Sequence, residues 1–258
     1  MNDYASLGLV AIATPQANTT VEAEMGVLLK PGVGLVTARL HSQVRDARAR
    51  LIDYLDRLGP ALDTLDNAPV AAAGFACTGT AYLVGNEREA AELGRLAALR
   101  LHPVLSASQA IRAALRALGA RRIALLSPYP EWLRTACEAY LPSWGIEVAD
   151  AHGLPGDRSD TRRIYALGAR EIAQGLAHLR TQGVDAILIS GTGAPTLAVL
   201  AGHRSSLPLL GSNICLAWAL EQTIASAALD AASLHAKLSD EGWRTRLALR
   251  FPQALEGL

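Results

Sequence analysis

Of the side chains able to act as nucleophile or acid in this chain, Cys77 has the most suggestive setting. It ends the apolar run Val70–Ala76 and precedes Thr78-Gly79-Thr80 and a helical stretch. A thiol at such a strand-to-helix junction faces backbone N–H groups and a positive helix end, which lower its pKa. The small residues beside it let main-chain amides approach an anionic substrate oxygen. The competing reading is a cysteine packing as a small buried hydrophobe, which suits Cys137 in mid-helix. Cys215 lies two residues past Asn213, in the first turn of another helix, where packing also accounts for it. The three thiols are far apart and form no C-x-x-C pair. That argues against a disulfide framework or a structural zinc site and suits a reducing cytoplasm. The six histidines are dispersed, so no metal is expected. One of them, His41, follows a strand and either borders a cleft or begins a surface helix. Gly191-x-Gly193 is a lone glycine pair without a dinucleotide fingerprint, and no cofactor is expected.

These residues need elements to hold them. Short apolar runs at 7–13, 33–40, 70–76, 122–127, 147–151, 186–190 and 209–211 read as strands. Between them, segments of helical period span 21–29, 41–65, 87–100, 107–118, 130–144, 169–181, 196–200 and 215–227, and the tail from Asp230 reads as one or two outer helices. Strands each followed by an amphipathic helix indicate an α/β protein with parallel sheets and helices on both faces. The chain also repeats itself. The strand entering Thr14-Pro15-Gln16 matches the one entering Ser127-Pro128-Tyr129. Downstream, Ala76-Cys77-Thr78-Gly79 matches Ser190-Gly191-Thr192-Gly193. Cys77 follows Pro15 by 62 positions and Gly191 follows Pro128 by 63, which suggests a duplicated unit. Ligands of parallel sheets bind beyond the strand carboxyl ends, so all four motifs should face one cleft. The expected units are 1–105 with 215–258, and 106–214.

The segment from Thr14 to Met25 resembles the P-x-x-N-T-x-x-E signature of maleate cis–trans isomerases, with Pro15, Asn18, Thr19 and Glu22 in register. Ala76-Cys77-Thr78 is similar to that family's first cysteine motif, Ser127-Pro128-Tyr129 to its tyrosine loop, and Ser212-Asn213 to its final strand-end motif. Thr196-Leu197 and the motif spacing resemble arylmalonate decarboxylases. On these motifs, covering roughly residues 7 to 225, the chain is identified as a member of the aspartate/glutamate racemase superfamily. The resemblance implies two pseudo-twofold-related, flavodoxin-like lobes with the active site between them, and a homodimer. It also implies a cofactor-independent enzyme acting on a small dicarboxylate. Cys77 would be nucleophile or proton donor. Thr78, Gly79, Gly191 and Thr192 would supply amide and hydroxyl donors, Tyr129 would hold one carboxylate, and Asn18, in the loop that opens at Pro15, the other. Read from the residues alone, Asn18 is equally a helix N-cap and Tyr129 a turn tyrosine packed between prolines.

Gly191 departs from the family pattern, because isomerases and racemases of this kind carry a second cysteine there. Two-base racemisation needs a group on each face, so a single thiol leaves two chemistries. In one, Cys77 adds to the double bond of a maleate-like diacid, the new single bond rotates, and elimination gives the trans isomer. In the other, a substituted malonate loses CO2 and Cys77 protonates one face. Arylmalonate decarboxylases resemble that layout in mirror image, which implies the opposite product handedness. Gly191 is expected to leave room for a larger substituent. A non-catalytic carboxylate-binding protein is the third reading. Asp160-Thr161 falls where isomerases place a substrate-binding asparagine, and no role is carried onto it. Lys+Arg and Asp+Glu balance at 24 each, which gives no electrostatic case for nucleic acid or an anionic membrane. The N-terminal fifteen residues carry acid and too short an apolar run for a signal or a span.

Overall fold

The computed structural model describes residues 3–154 and 161–256, with side chains from 163 onward in the second stretch. Its first half places β1 (Gly8–Pro15), α1 (Thr20–Leu28), β2 (Val33–Leu40), α2 (Ala47–Asp56), α3 (Leu58–Asp63), β3 (Val70–Phe75), α4 (Thr78–Val84), α5 (Asn86–Arg100) and β4 (Val104–Ser106) in order. After α6 (Ala107–Ala117) come β5 (Arg122–Ser127), α7 (Glu131–Tyr140), β6 (Glu147–Gly153), α8 (Ala169–Ala177), β7 (Ala186–Ile189), α9 (Leu197–Gly202) and β8 (Leu209–Gly211). The chain then runs through α10 (Ser212–Ile224), α11 (Ala231–Ser239) and α12 (Glu241–Arg250).

The strands build two parallel four-stranded sheets of matching order, β2-β1-β3-β4 and β6-β5-β7-β8. This is the expected two-lobe α/β architecture, and the sequence repeat is its cause. Interior strands explain the continuous apolar runs: β1 and β5 each pair on both sides, and every residue from Val10 to Pro15 and from Ile123 to Ser127 is buried. Edge strand β6 is half-exposed over most of its length. Val104–Ser106 escaped the sequence pattern because three residues carry no periodicity.

One expected helix is corrected. The stretch 41–65 is not continuous: residues 41–46 are irregular, α2 begins only at Ala47, and α3 is separate. Asp46 caps α2 by accepting the Ala49 amide at 2.7 Å, and the Ser42 hydroxyl accepts the Val44 amide at 3.2 Å. Side chains thus satisfy amides that a longer helix would use. Pro60, lacking an N–H, sits in the first turn of α3.

Lys237 ties the tail to the first lobe, donating to both Glu221 carboxylate oxygens at 2.9 Å and to the Leu28 carbonyl at 2.6 Å. Helix α6 packs against α10, α11 and β4, and Ser106 belongs to the first sheet. The unit boundaries, 1–105 with 215–258 against 106–214, stand as a proposal. No helix among the described residues is long and apolar enough to cross a membrane.

Candidate active site

Both sheets end in the same place. Cys77 lies two residues beyond β3 and Gly191 two beyond β7, while Pro15 ends β1 and Pro128 follows β5. Hydrogen bonds cross between these ends: Thr192 Oγ1 donates to the Ala76 carbonyl at 2.9 Å, Thr20 Oγ1 to the Gly193 carbonyl at 2.8 Å, and the Thr78 hydroxyl lies 2.6 Å from the Tyr129 phenol. Between them is a cavity of about 390 Å³. The first lobe lines it with Pro15, Gln16, Asn18 and Cys77, the loop Ser42–Arg45, and Arg50, Leu51 and Tyr54 from α2. The second lobe contributes Tyr129, Ile164, Tyr165 and Thr192.

Cys77 stands as the N-cap residue of α4 in extended backbone conformation. Thr80 Oγ1 donates to its sulfur at 3.2 Å. The expectation of a lowered pKa is overturned. Burial pushes the thiol up to about 11, outweighing the Thr80 hydroxyl and the Thr80 and Gly79 amides that pull it down. The resting sulfur is therefore a neutral thiol. Cys137 and Cys215 are fully buried in α7 and α10, outside the cavity lining, and burial pushes each up to about 12.

The other expected residues divide into two groups. Pro15, Asn18, Tyr129 and Thr192 line the cavity with Cys77; Thr78, Gly79 and Gly191 do not. Asn18 serves as the helix cap as well: its Oδ1 accepts the Thr20 and Val21 amides at 2.9 and 3.2 Å, and its Nδ2 has no partner among the described residues. Tyr129 packs edge-on against Tyr82, and Thr78 fixes its phenol. The Gly191 amide is held by Ser212 Oγ at 2.9 Å. His41 is exposed and outside the lining. Asp160 lies outside the described residues, and Thr161 opens a 3-10 turn whose Ile164 and Tyr165 reach the cavity.

The expected room at Gly191 is absent. A Cβ there would sit 2.9 Å from Pro128 Cγ and 3.4 Å from Tyr129 Cζ, on a backbone with φ of +125°. Pro128 fills the space, and the backbone favours glycine. Gly191→Cys is expected to lower stability by about 1–3 kcal/mol, read as a fall in Tm, and to add no second acid at this face. A variant as stable as the parent would show that Pro128 yields easily.

Sequence reading missed Arg45 and Arg50, the charged residues of the lining, which among the described residues holds no Asp or Glu. They were hidden inside the stretch 41–65, read as one continuous helix. Among the described residues no cluster of three His, Cys, Asp or Glu could hold a metal ion. A polar cavity with one thiol, neutral amide and phenol donors and two cationic residues suits a small anion attacked or protonated by sulfur.

Comparison with known proteins agrees with this geometry. A family model described as arylmalonate decarboxylase matches residues 12–238. A maleate isomerase of Nocardia farcinica (strain IFM 10152) is 28% identical over 193 residues, covering 70% of this chain and 74% of that protein. Among solved structures, a cysteine-to-alanine variant of the maleate isomerase Iso from Pseudomonas putida S16 with maleate gives a TM-score of 0.74 at 22% identity, over 85% of this chain and 92% of that one. A cysteine-to-serine mutant of the Nocardia farcinica maleate cis–trans isomerase, with a covalently bound succinylcysteine intermediate, also gives 0.74 at 22%, over 88% and 98%.

Proposed function

Since this chain belongs to the arylmalonate decarboxylase family, we propose that it is a cofactor-independent cysteine enzyme that isomerises a small maleate-like dicarboxylate. The observation that carries the reading is the cavity lining: one thiol among polar and cationic residues, with no carboxylate among the described residues to repel a dianion. Relatives named as maleate isomerases, and the succinylcysteine in one of their structures, support the same chemistry.

In this mechanism the Cys77 thiolate attacks one olefinic carbon, forming an S–C bond. The π pair moves onto the adjacent carboxylate as an enediolate. Rotation about the new single bond follows, the pair returns to re-form C=C in the trans geometry, and the thiolate leaves, so no atom is gained or lost. Asn18 Nδ2, the Tyr129 phenol and Thr192 hold the carboxylates beside Pro15. Thr78 sets the phenol, the Gly79 amide faces the sulfur, and Gly191 lets Pro128 close that wall of the site. The proposal extends to a cytoplasmic homodimer, for which the three free buried cysteines suit a reducing compartment.

A second reading, decarboxylation of a substituted malonate, is favoured by the neutral thiol, which is already an acid able to protonate an enediolate. Turnover in heavy water separates the two. Isomerisation is expected to give unlabelled trans diacid, whereas decarboxylation places a solvent deuterium on the former malonate carbon. Stoichiometric deuterium in the trans diacid would overturn the rotation mechanism.

A further inference from the structure

The geometry points to Arg45 as the residue that makes this site selective for dianions, by pairing with the substrate carboxylate remote from the reacting carbon. This deepens, and rests on, the reading of the cavity as a dicarboxylate site. Arg45 lines the cavity and is exposed, and its guanidinium has no protein partner among the described residues. The cationic residues around it are otherwise engaged: Arg39 pairs with Glu22, and Arg48 stacks on Trp132 at 5.2 Å. Among the described residues no Asp or Glu lines the cavity to neutralise it, and the adjacent Asp46 is occupied in capping α2.

The loop carrying Arg45 is held from several sides. Arg50 Nη1 donates to the Arg45 carbonyl at 2.9 Å and to the Val44 carbonyl at 3.3 Å. Gln16 Oε1, from the motif after β1, accepts the Ser42 amide at 2.6 Å. Buried Arg50 thus acts as a positioning residue for a backbone that presents the neighbouring guanidinium at the cavity. A guanidinium offers paired N–H donors in the geometry of a carboxylate, and a site built around that pairing rejects an analogue lacking the charge. The neutral donors Asn18 and Tyr129 lack this discrimination, since each also satisfies an uncharged amide.

The test is calorimetric titration with succinate, a saturated and unreactive four-carbon diacid, and with its monoamide. The proteins are the parent chain, Arg45→Ala, Arg45→Lys and Arg48→Ala. The parent should bind succinate more tightly than the monoamide. Arg45→Ala should weaken succinate roughly tenfold to a hundredfold and close the gap to the monoamide, with Tm unchanged because the side chain is exposed. Arg45→Lys should restore affinity in part. Arg48→Ala removes the same charge outside the cavity and should leave binding unchanged. Equal weakening by Arg45→Ala and Arg48→Ala, unchanged affinity in Arg45→Ala, or a parent that fails to bind succinate or to prefer it would overturn the proposal. Because the ligand is unreactive, failure of Cys77 chemistry appears separately, as absent turnover of maleate by a chain that still binds succinate through Arg45.

Discussion

Replacing Cys77 by serine or alanine is expected to lower turnover of the substrate by at least about a thousandfold while leaving the fold intact. Cys77 is the thiol that reaches the cavity, and among the described residues no Asp, Glu or His lines it to take over as nucleophile or acid. Serine keeps the volume and can still accept the Thr80 hydroxyl now directed at sulfur, so a change in stability should stay near 1 kcal/mol. Cys137→Ala and Cys215→Ala are the matched controls. Both sites are buried away from the cavity, so these variants should lose stability through packing and keep kcat/KM. Full activity in Cys77→Ala would sink both enzyme readings. A carboxylate-dependent rise in Tm with no turnover in the parent would favour a binding protein.

The pH profile of kcat/KM is expected to carry an effect nearly as large. Burial pushes Cys77 up to about 11, so only about one molecule in ten thousand holds a thiolate at pH 7. If sulfur attacks the double bond, the reactive form is this thiolate. The rate should then climb about tenfold per pH unit, from about pH 6 to about pH 9. If sulfur instead delivers a proton, the thiol is the active form, and the profile should stay flat and fall only as pH passes about 11. A flat profile would therefore reject nucleophilic Cys77 in favour of decarboxylation. The same shift bears on stability. A thiol that ionises near 9 when unfolded and near 11 when folded holds its proton more tightly in the folded state. Its stabilising contribution is complete below about pH 9 and is lost as pH rises through about 11. The rate profile is therefore read below that range.

Much of the fold was legible because the physical signals were local. Strands β2, β5 and β8 were found with their observed ends, β5 because an interior parallel strand is apolar on both faces, and the edge strands β2 and β8 because turn residues bound their apolar runs. The matched motifs of the two halves anticipated two sheets of the same strand order. Where side chains took over backbone hydrogen bonds, the signal failed. Residues 41–46 have helical composition, yet Ser42 and Asp46 accept amides and Arg50 takes two carbonyls. That error concealed Arg45, because a residue assigned to the middle of a long helix is not sought in a loop beside a cleft.

The sequence by itself determined the two-lobe design and the choice of Cys77, through residue types and equal spacing in the two halves. It also determined that the partner position holds glycine. Tertiary structure decided what those residues are able to do. Whether the thiol rests charged or neutral depends on how much water the assembled lobes exclude, and burial here outweighs the nearby amides. Whether Gly191 is an opening depends on Pro128 of a neighbouring loop, which fills it. The cationic character of the cavity arises from Arg45 in the loop before α2 and Arg50 within it, although the chain as a whole carries no net charge. Spacing along a chain records which groups can meet, but solvation and close packing exist only after they have met.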